Sequence, residues 1–202
     1  RDTDVIILFG TKSTLADMAF LRAQGWDHDI LAHARTGGRV LGICGGYQML
    51  GQWLRDPAGA DGPAGEMPGL GLLKTDTTMQ GEKTVRPVTG QCARTGLAIK
   101  GYEIHAGLTR GPDAARPFLQ LPDGPEGAVS ADGRIEGTYV HGLFAEDRFR
   151  SAWLEGVRAG ASSEAAYGAS VEAALDALAD GLEAHMDVAR FLALAEPPGW
   201  RG

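Results

Sequence analysis

The sequence predicts an α/β fold, a mixed and mainly parallel sheet flanked by helices. Two observations carry that prediction. Val5-Ile6-Ile7-Leu8-Phe9 and Val40-Leu41-Gly42-Ile43 are short, unbroken apolar runs, the pattern of strands buried on both faces. Helical segments separate them, so strand and helix signals alternate, as parallel sheets with crossover helices require.

In chain order, Gly10-Thr11-Lys12-Ser13-Thr14 is a polar loop, and Ser13 or Thr14 can cap a helix running to about Gln24. A second helix covers Asp27–Arg35 and stops at Gly37-Gly38. After the Val40–Ile43 strand the chain turns sharply at Cys44, and Tyr47–Leu54 has helical character. Arg55–Gly71, rich in Gly and Pro, reads as a loop, and 72–142 reads as strand-rich. Within that stretch Thr84–Thr89 alternates, Leu97–Leu108 holds a strand, and Asp132-Gly133 turns a hairpin between Ala128–Ser130 and Ile135–Val140. From Glu146 the pattern is helical. Ala, Leu and Glu dominate Ser162–Ala195, with a capping-type start at Ser170-Val171-Glu172 and a stop at Pro197-Pro198-Gly199. The expectation is one domain over residues 1–202. With no initiator Met, the chain reads as a piece of a longer protein.

Composition narrows function. Of 202 residues, 44% are hydrophobic and 22% charged, which is globular rather than disordered. The net charge of -7 argues against a nucleic-acid-binding face. No apolar run approaches the ~20 residues of a membrane span, and no signal peptide opens the chain. Two cysteines make no disulfide scaffold, and no Cys/His cluster has metal spacing. These features point to a reducing, cytoplasmic setting without a resident metal. Gly is 30 of 202 with no three-residue period, which indicates tight turns and close backbone approaches.

One of those approaches carries chemistry. Gly42-Ile43-Cys44-Gly45-Gly46 sits between a predicted buried strand and a predicted helix, the nucleophile-elbow arrangement with Cys in the reactive position. A nucleophile on such a turn brings backbone too close for flanking side chains, which explains the glycines. The turn also places sulfur near a helix N-terminus, which favours thiolate, and aims the Gly45 N–H at a forming oxyanion. A buried structural cysteine is the competing reading of Cys44, and it is the one that suits Cys92, which lacks the elbow. A thiol nucleophile needs a base. His28, His33 and His185 lie on helical segments and read as packing or surface residues. His141 ends a predicted strand, where open α/β sheets present reactive groups, and Gly142 leaves room beside it. His105 competes; spacing favours His141.

With Gly10–Thr14, Gly42–Gly51, Gly69–Leu73, Gly101–His105 and Tyr139–Phe144 in this order, the chain resembles the class I glutamine amidotransferases, most closely their cobalamin-pathway branch. The likeness covers about residues 5–160. It implies that Cys44 forms a thioester with glutamine and that His141 shuttles the proton. It implies an oxyanion hole from Gly45 and the Gly10 loop, with Gln48 near the bound glutamine. Ammonia would pass to an ATP- and Mg²⁺-dependent synthase domain, N-terminal in the same protein, that amidates corrinoid side-chain carboxylates. This chain has no phosphate-binding Gly-x-x-x-x-Gly-Lys loop, so ATP and Mg²⁺ belong to that other domain.

The sequence departs from the family in two places. Leu143 stands where many members carry a Glu that orients the His, which leaves Glu103 as the candidate orienting group. Phe9 replaces a Pro before the oxyanion glycine, which frees a backbone angle the ring would fix. Two other readings stay open: a Cys-His γ-glutamyl hydrolase on the same fold, and a non-catalytic docking module.

Overall fold

The computed structural model describes residues 3–194 and divides the chain into two compact units at Glu164/Ala165. The second unit consists of α5 and α6, given below. The first unit begins with β1 (Val5–Leu8), α1 (Thr14–Ala23), α2 (Trp26–Arg35), β2 (Arg39–Ile43) and α3 (Gly45–Leu50). It continues through β3 (Trp53–Asp56), β4 (Gly65–Pro68), β5 (Asp76–Cys92), β6 (Ala98–Arg110), β7 (Leu119–Leu121) and β8 (Gly124–Glu126). It closes with β9 (Ala128–Val129), β10 (Ile135–Thr138), β11 (Val140–His141) and α4 (Asp147–Val157).

The strands form two sheets. The first has the order β1-β2-β10-β9, with β1 and β10 each parallel to β2. The second has seven strands built on the long β5–β6 hairpin, and there only β3–β5 is parallel. The parallel order predicted from the apolar runs therefore holds around β2. The hairpin sheet is the mixed part of the architecture.

Alternation along β2 divides the core. Val40 packs with Met18 and Leu21 of α1 and Ile30 of α2, whereas Leu41 and Ile43 pack on the opposite face with Phe149 and Trp153 of α4. Helices thus cover both faces of the small sheet.

Several predicted boundaries move. Trp53-Leu54 leave the helix because Gly51 is extended and β3 pairs with β5. The Arg55–Gly71 loop contains the β3–β4 antiparallel pair. The helix of the second unit, α5 (Tyr167–His185), begins before Ser170, whose hydroxyl bonds the Ala166 carbonyl inside the first turn; α6 covers Val188–Leu194. The Pro197-Pro198-Gly199 stop lies outside the described residues. No helix among the described residues is long and apolar enough to cross a membrane.

Candidate active site

Cys44 sits between the last residue of β2 and the first of α3, with φ 54 and ψ -114. Among the described residues it alone, apart from glycines, has positive φ. Such a conformation costs of order 1–3 kcal/mol for a residue with a Cβ and persists only where its surroundings impose it. They do so through the glycines. A Cβ on Gly42 would lie 2.6 Å from the Gly46 carbonyl oxygen, and one on Gly46 would overlap the Leu8 carbonyl oxygen. The backbones of β1, β2 and α3 touch directly at this turn.

The turn opens into a cavity of about 270 Å³ lined by Cys44, Gln48, Thr14, Lys12, Asp61, Lys83 and His105 among others. That is below the range of clefts that bury drug-sized ligands, so it suits a small molecule. Cavities of about 520, 530 and 620 Å³ lack Cys44, and the 530 Å³ one lies on the far side of His105, which lines both.

The Cys44 thiol donates to the Ile104 carbonyl, Sγ to oxygen 3.3 Å. Burial pushes the thiol above its usual pKa. The Gly45 N–H opposes that shift and the Asp61 charge adds to it. Thiolate formation at the helix start is therefore not the resting condition, because burial outweighs the single N–H. Gly45 faces the Gly10 loop: its Cβ position lies 3.1 Å from the Thr11 amide nitrogen. The Gly45 N–H acts on the thiol, and the Thr11 amide lies across from Gly45.

His141 approaches from beside Gly10 and is not among the residues that line the cavity. A Cβ on Gly10 would lie 2.9 Å from His141 Cε1 and 3.8 Å from Cys44 Sγ, so Gly10 keeps open the space both side chains share. The ring stacks parallel on Tyr102 at 5.1 Å, and the β11–β6 register sets those two residues opposite each other. Nε2 of His141 is buried without a hydrogen-bond partner. Burial, and then the neighbouring His105, hold His141 below its usual pKa, so it is a neutral imidazole at pH 7.

Glu103 does not orient His141. It is one residue out of phase with Tyr102 on β6, so it faces the opposite side, and its carboxylate takes the Arg86 Nε–H at 2.6 Å. Tyr102, not a carboxylate, lies against the ring. Gln48 lines the cavity as expected, but its amide is committed. Its oxygen accepts from Thr14 Oγ1 at 3.0 Å, and its nitrogen donates to the Tyr139 hydroxyl at 3.2 Å. His105 lies in the same wall, stacked on Tyr139 at 3.7 Å with Nδ1 on the Gly107 carbonyl. Cys92 is buried in the core, as its setting indicates.

Sequence reasoning passes over Asp61, Lys12 and Lys83. The first lies in a segment read as loop, and no local pattern marks it. Among the described residues no three His, Cys, Asp or Glu side chains converge as a metal-holding group.

Residues 1–149 match the model of the CobB/CobQ-like glutamine amidotransferase domain. The chain belongs to this family. Its relatives include a cobyric acid synthase of Hyphomonas neptunium, 86% identical over all 202 residues and 41% of that protein. Another is a cobyric acid synthase of Cereibacter sphaeroides, 57% identical over 194 residues, 96% of this chain and 40% of that protein. The chain thus spans about two fifths of the length of these curated relatives. A crystal structure of a glutamine amidotransferase shares the fold at a TM-score of 0.56 and 17% identity, over 76% of this chain and 78% of that one. Members of the amidotransferase family are enzymes, and the elbow, the cavity and the two histidines lie on the first unit, the part that the family model matches.

Proposed function

We propose that this chain is the glutaminase part of a cobyric acid synthase. The observation that carries the reading is Cys44, held at positive φ over a small cavity with His141 beside it across Gly10. Sequence identity to cobyric acid synthases supports the pathway assignment.

In this reading Cys44 Sγ turns from the Ile104 carbonyl and gives its proton to His141 as it attacks the side-chain carbonyl carbon of glutamine. The tetrahedral oxyanion sits against the Gly45 N–H and the Gly10 loop. Collapse breaks the C–N bond, and the His141 proton leaves with the nitrogen as ammonia. Water then attacks the thioester with His141 as base, which releases glutamate and restores the thiol. Binding glutamine expels water, and the oxyanion donors compensate the burial that opposes thiolate. ATP and Mg²⁺ act in a synthase domain elsewhere in the protein, on corrinoid side-chain carboxylates that receive the ammonia. The setting is the cytoplasm.

The test is intact-mass labelling by a glutamine-mimicking diazo-ketone in the complete protein. One adduct on Cys44, slowed by glutamine and absent in Cys44→Ala, supports the reading. Absence of that adduct while iodoacetamide still reaches Cys44 sinks it and leaves a docking module. Hydrolysis of γ-glutamyl peptides faster than glutamine would favour the hydrolase alternative instead.

A further inference from the structure

The cavity holds three charged side chains for which the chemistry above has no use. Asp61, Lys12 and Lys83 line it together with the Cys44 thiol. Asp61 is built in. The buried Asp56 carboxylate accepts the Ala60 N–H at 2.7 Å and the Asp61 N–H at 2.8 Å, which folds the loop back. Asp61 Oδ2 then accepts the Thr14 N–H at 2.6 Å, the first amide of α1. Oδ1 makes no protein hydrogen bond among the described residues. Asp61 is also near enough to the thiol for its charge to oppose thiolate. Lys12 and Lys83 form no ion pair among the described residues.

One fixed carboxylate and two free ammonium groups around a small cavity are complementary to a zwitterion. We propose that Asp61 binds the α-ammonium of the substrate and that Lys12 and Lys83 bind its α-carboxylate. The site then selects γ-amides carrying a free α-amino acid head. This rests on the glutaminase reading and names its specificity residues. It also gives Asp61 a second effect. While the cavity is empty its charge raises the cost of a neighbouring thiolate, and pairing with a bound cation removes that cost. The nucleophile is then most readily ionised when the correct head group is present.

The experiment compares rates of Cys44 labelling in the complete protein by three reagents: the diazo-ketone with its α-amino acid head, its des-amino analogue, and iodoacetamide. Wild type should react at least tenfold faster with the first than with the second. Asp61→Asn keeps an oxygen for the Thr14 N–H. It should lose tenfold or more with the amino acid reagent, while iodoacetamide labelling should not fall and should rise as the empty cavity loses the charge that opposes thiolate. Lys12→Met and Lys83→Met cap nothing and should each lose severalfold with the amino acid reagent alone. Equal wild-type rates with and without the α-amino group would overturn the proposal without any variant. So would an Asp61→Asn protein that labels like wild type. Wild type inert to both diazo-ketones but open to iodoacetamide would sink the glutaminase reading itself, a different result from either.

Discussion

The two cysteines make an informative pair. Both belong to the same hydrophobic cluster, and both are nearly inaccessible, 7% exposed for Cys44 and 1% for Cys92. Composition and burial do not separate them. The backbone does. Cys92 ends β5 in ordinary extended structure, paired with Leu119 of β7, and its carbonyl accepts the Gly96 N–H of the turn into β6. Cys44 sits at a positive φ enforced by two strands and a helix meeting at glycines, and its sulfur borders a cavity. In the proposed reading, reactivity follows from where the chain is forced to turn, not from how deeply the sulfur is buried.

The largest way to break that comparison is to exchange the labels. Cys44→Ala should lose labelling by the glutamine-mimicking reagent by a factor of about 10³ or more, with little change in stability. Cys92→Ala should keep labelling within about twofold and lose about 1 kcal/mol of stability from the small void it leaves. Intact mass and urea denaturation read both. A Cys92 adduct in wild type would end the argument that the turn confers reactivity.

The next comparison is between glycines. Gly46→Ala drives a Cβ into the Leu8 carbonyl, where only backbone movement can relieve the overlap, and should cost about 4 kcal/mol or more. Gly96→Ala, in the turn after Cys92, meets nothing within 4 Å and pays only for its φ of +68, about 1 kcal/mol. Urea midpoints at constant slope measure both. Similar costs would mean that the elbow is no more constrained than an ordinary turn.

The same contrast marks what the sequence reveals. The elbow is legible because its cause is local: glycines at fixed offsets from Cys44, after an apolar run. The parallel strands β1 and β2 are legible for a related reason, since burial on both faces leaves no polar alternation. What escapes is non-local. Trp53-Leu54 continue a helical pattern on paper, and only the pairing with β5 makes them strand. Glu103 becomes a candidate partner for His141 when the segment is read as a string of residues. The register of β11 on β6, which sets Tyr102 against His141, removes it. Asp61 is invisible for the same reason, because its place depends on Asp56 folding a loop and on Thr14, 47 residues away.

The smallest effect tests the connection between the two cysteine regions. Leu119 pairs with Cys92 on one side and with Glu126 on the other, and Glu126 reaches the end of β10 that leads to His141. Its carboxylate accepts from Thr138 Oγ1 at 2.6 Å and from the Tyr139 N–H at 2.7 Å. Burial overrides those bonds and pushes its pKa up to about 7 from 4.5. The folded protein therefore holds a proton that the unfolded chain has released between those values. Stability contributed by that proton is present at pH 4.5 and is lost as pH rises towards 7. At about 1.4 kcal/mol per pH unit the loss is bounded at about 3.5 kcal/mol. Glu126→Gln keeps an acceptor for the Tyr139 N–H and carries no titration. The stability of wild type minus that of the variant should fall from pH 4.5 to 7 in urea titrations, and flatten above. A difference that stays level across the window would show that Glu126 is ionised in its pocket and that its two hydrogen bonds, not its burial, set its charge.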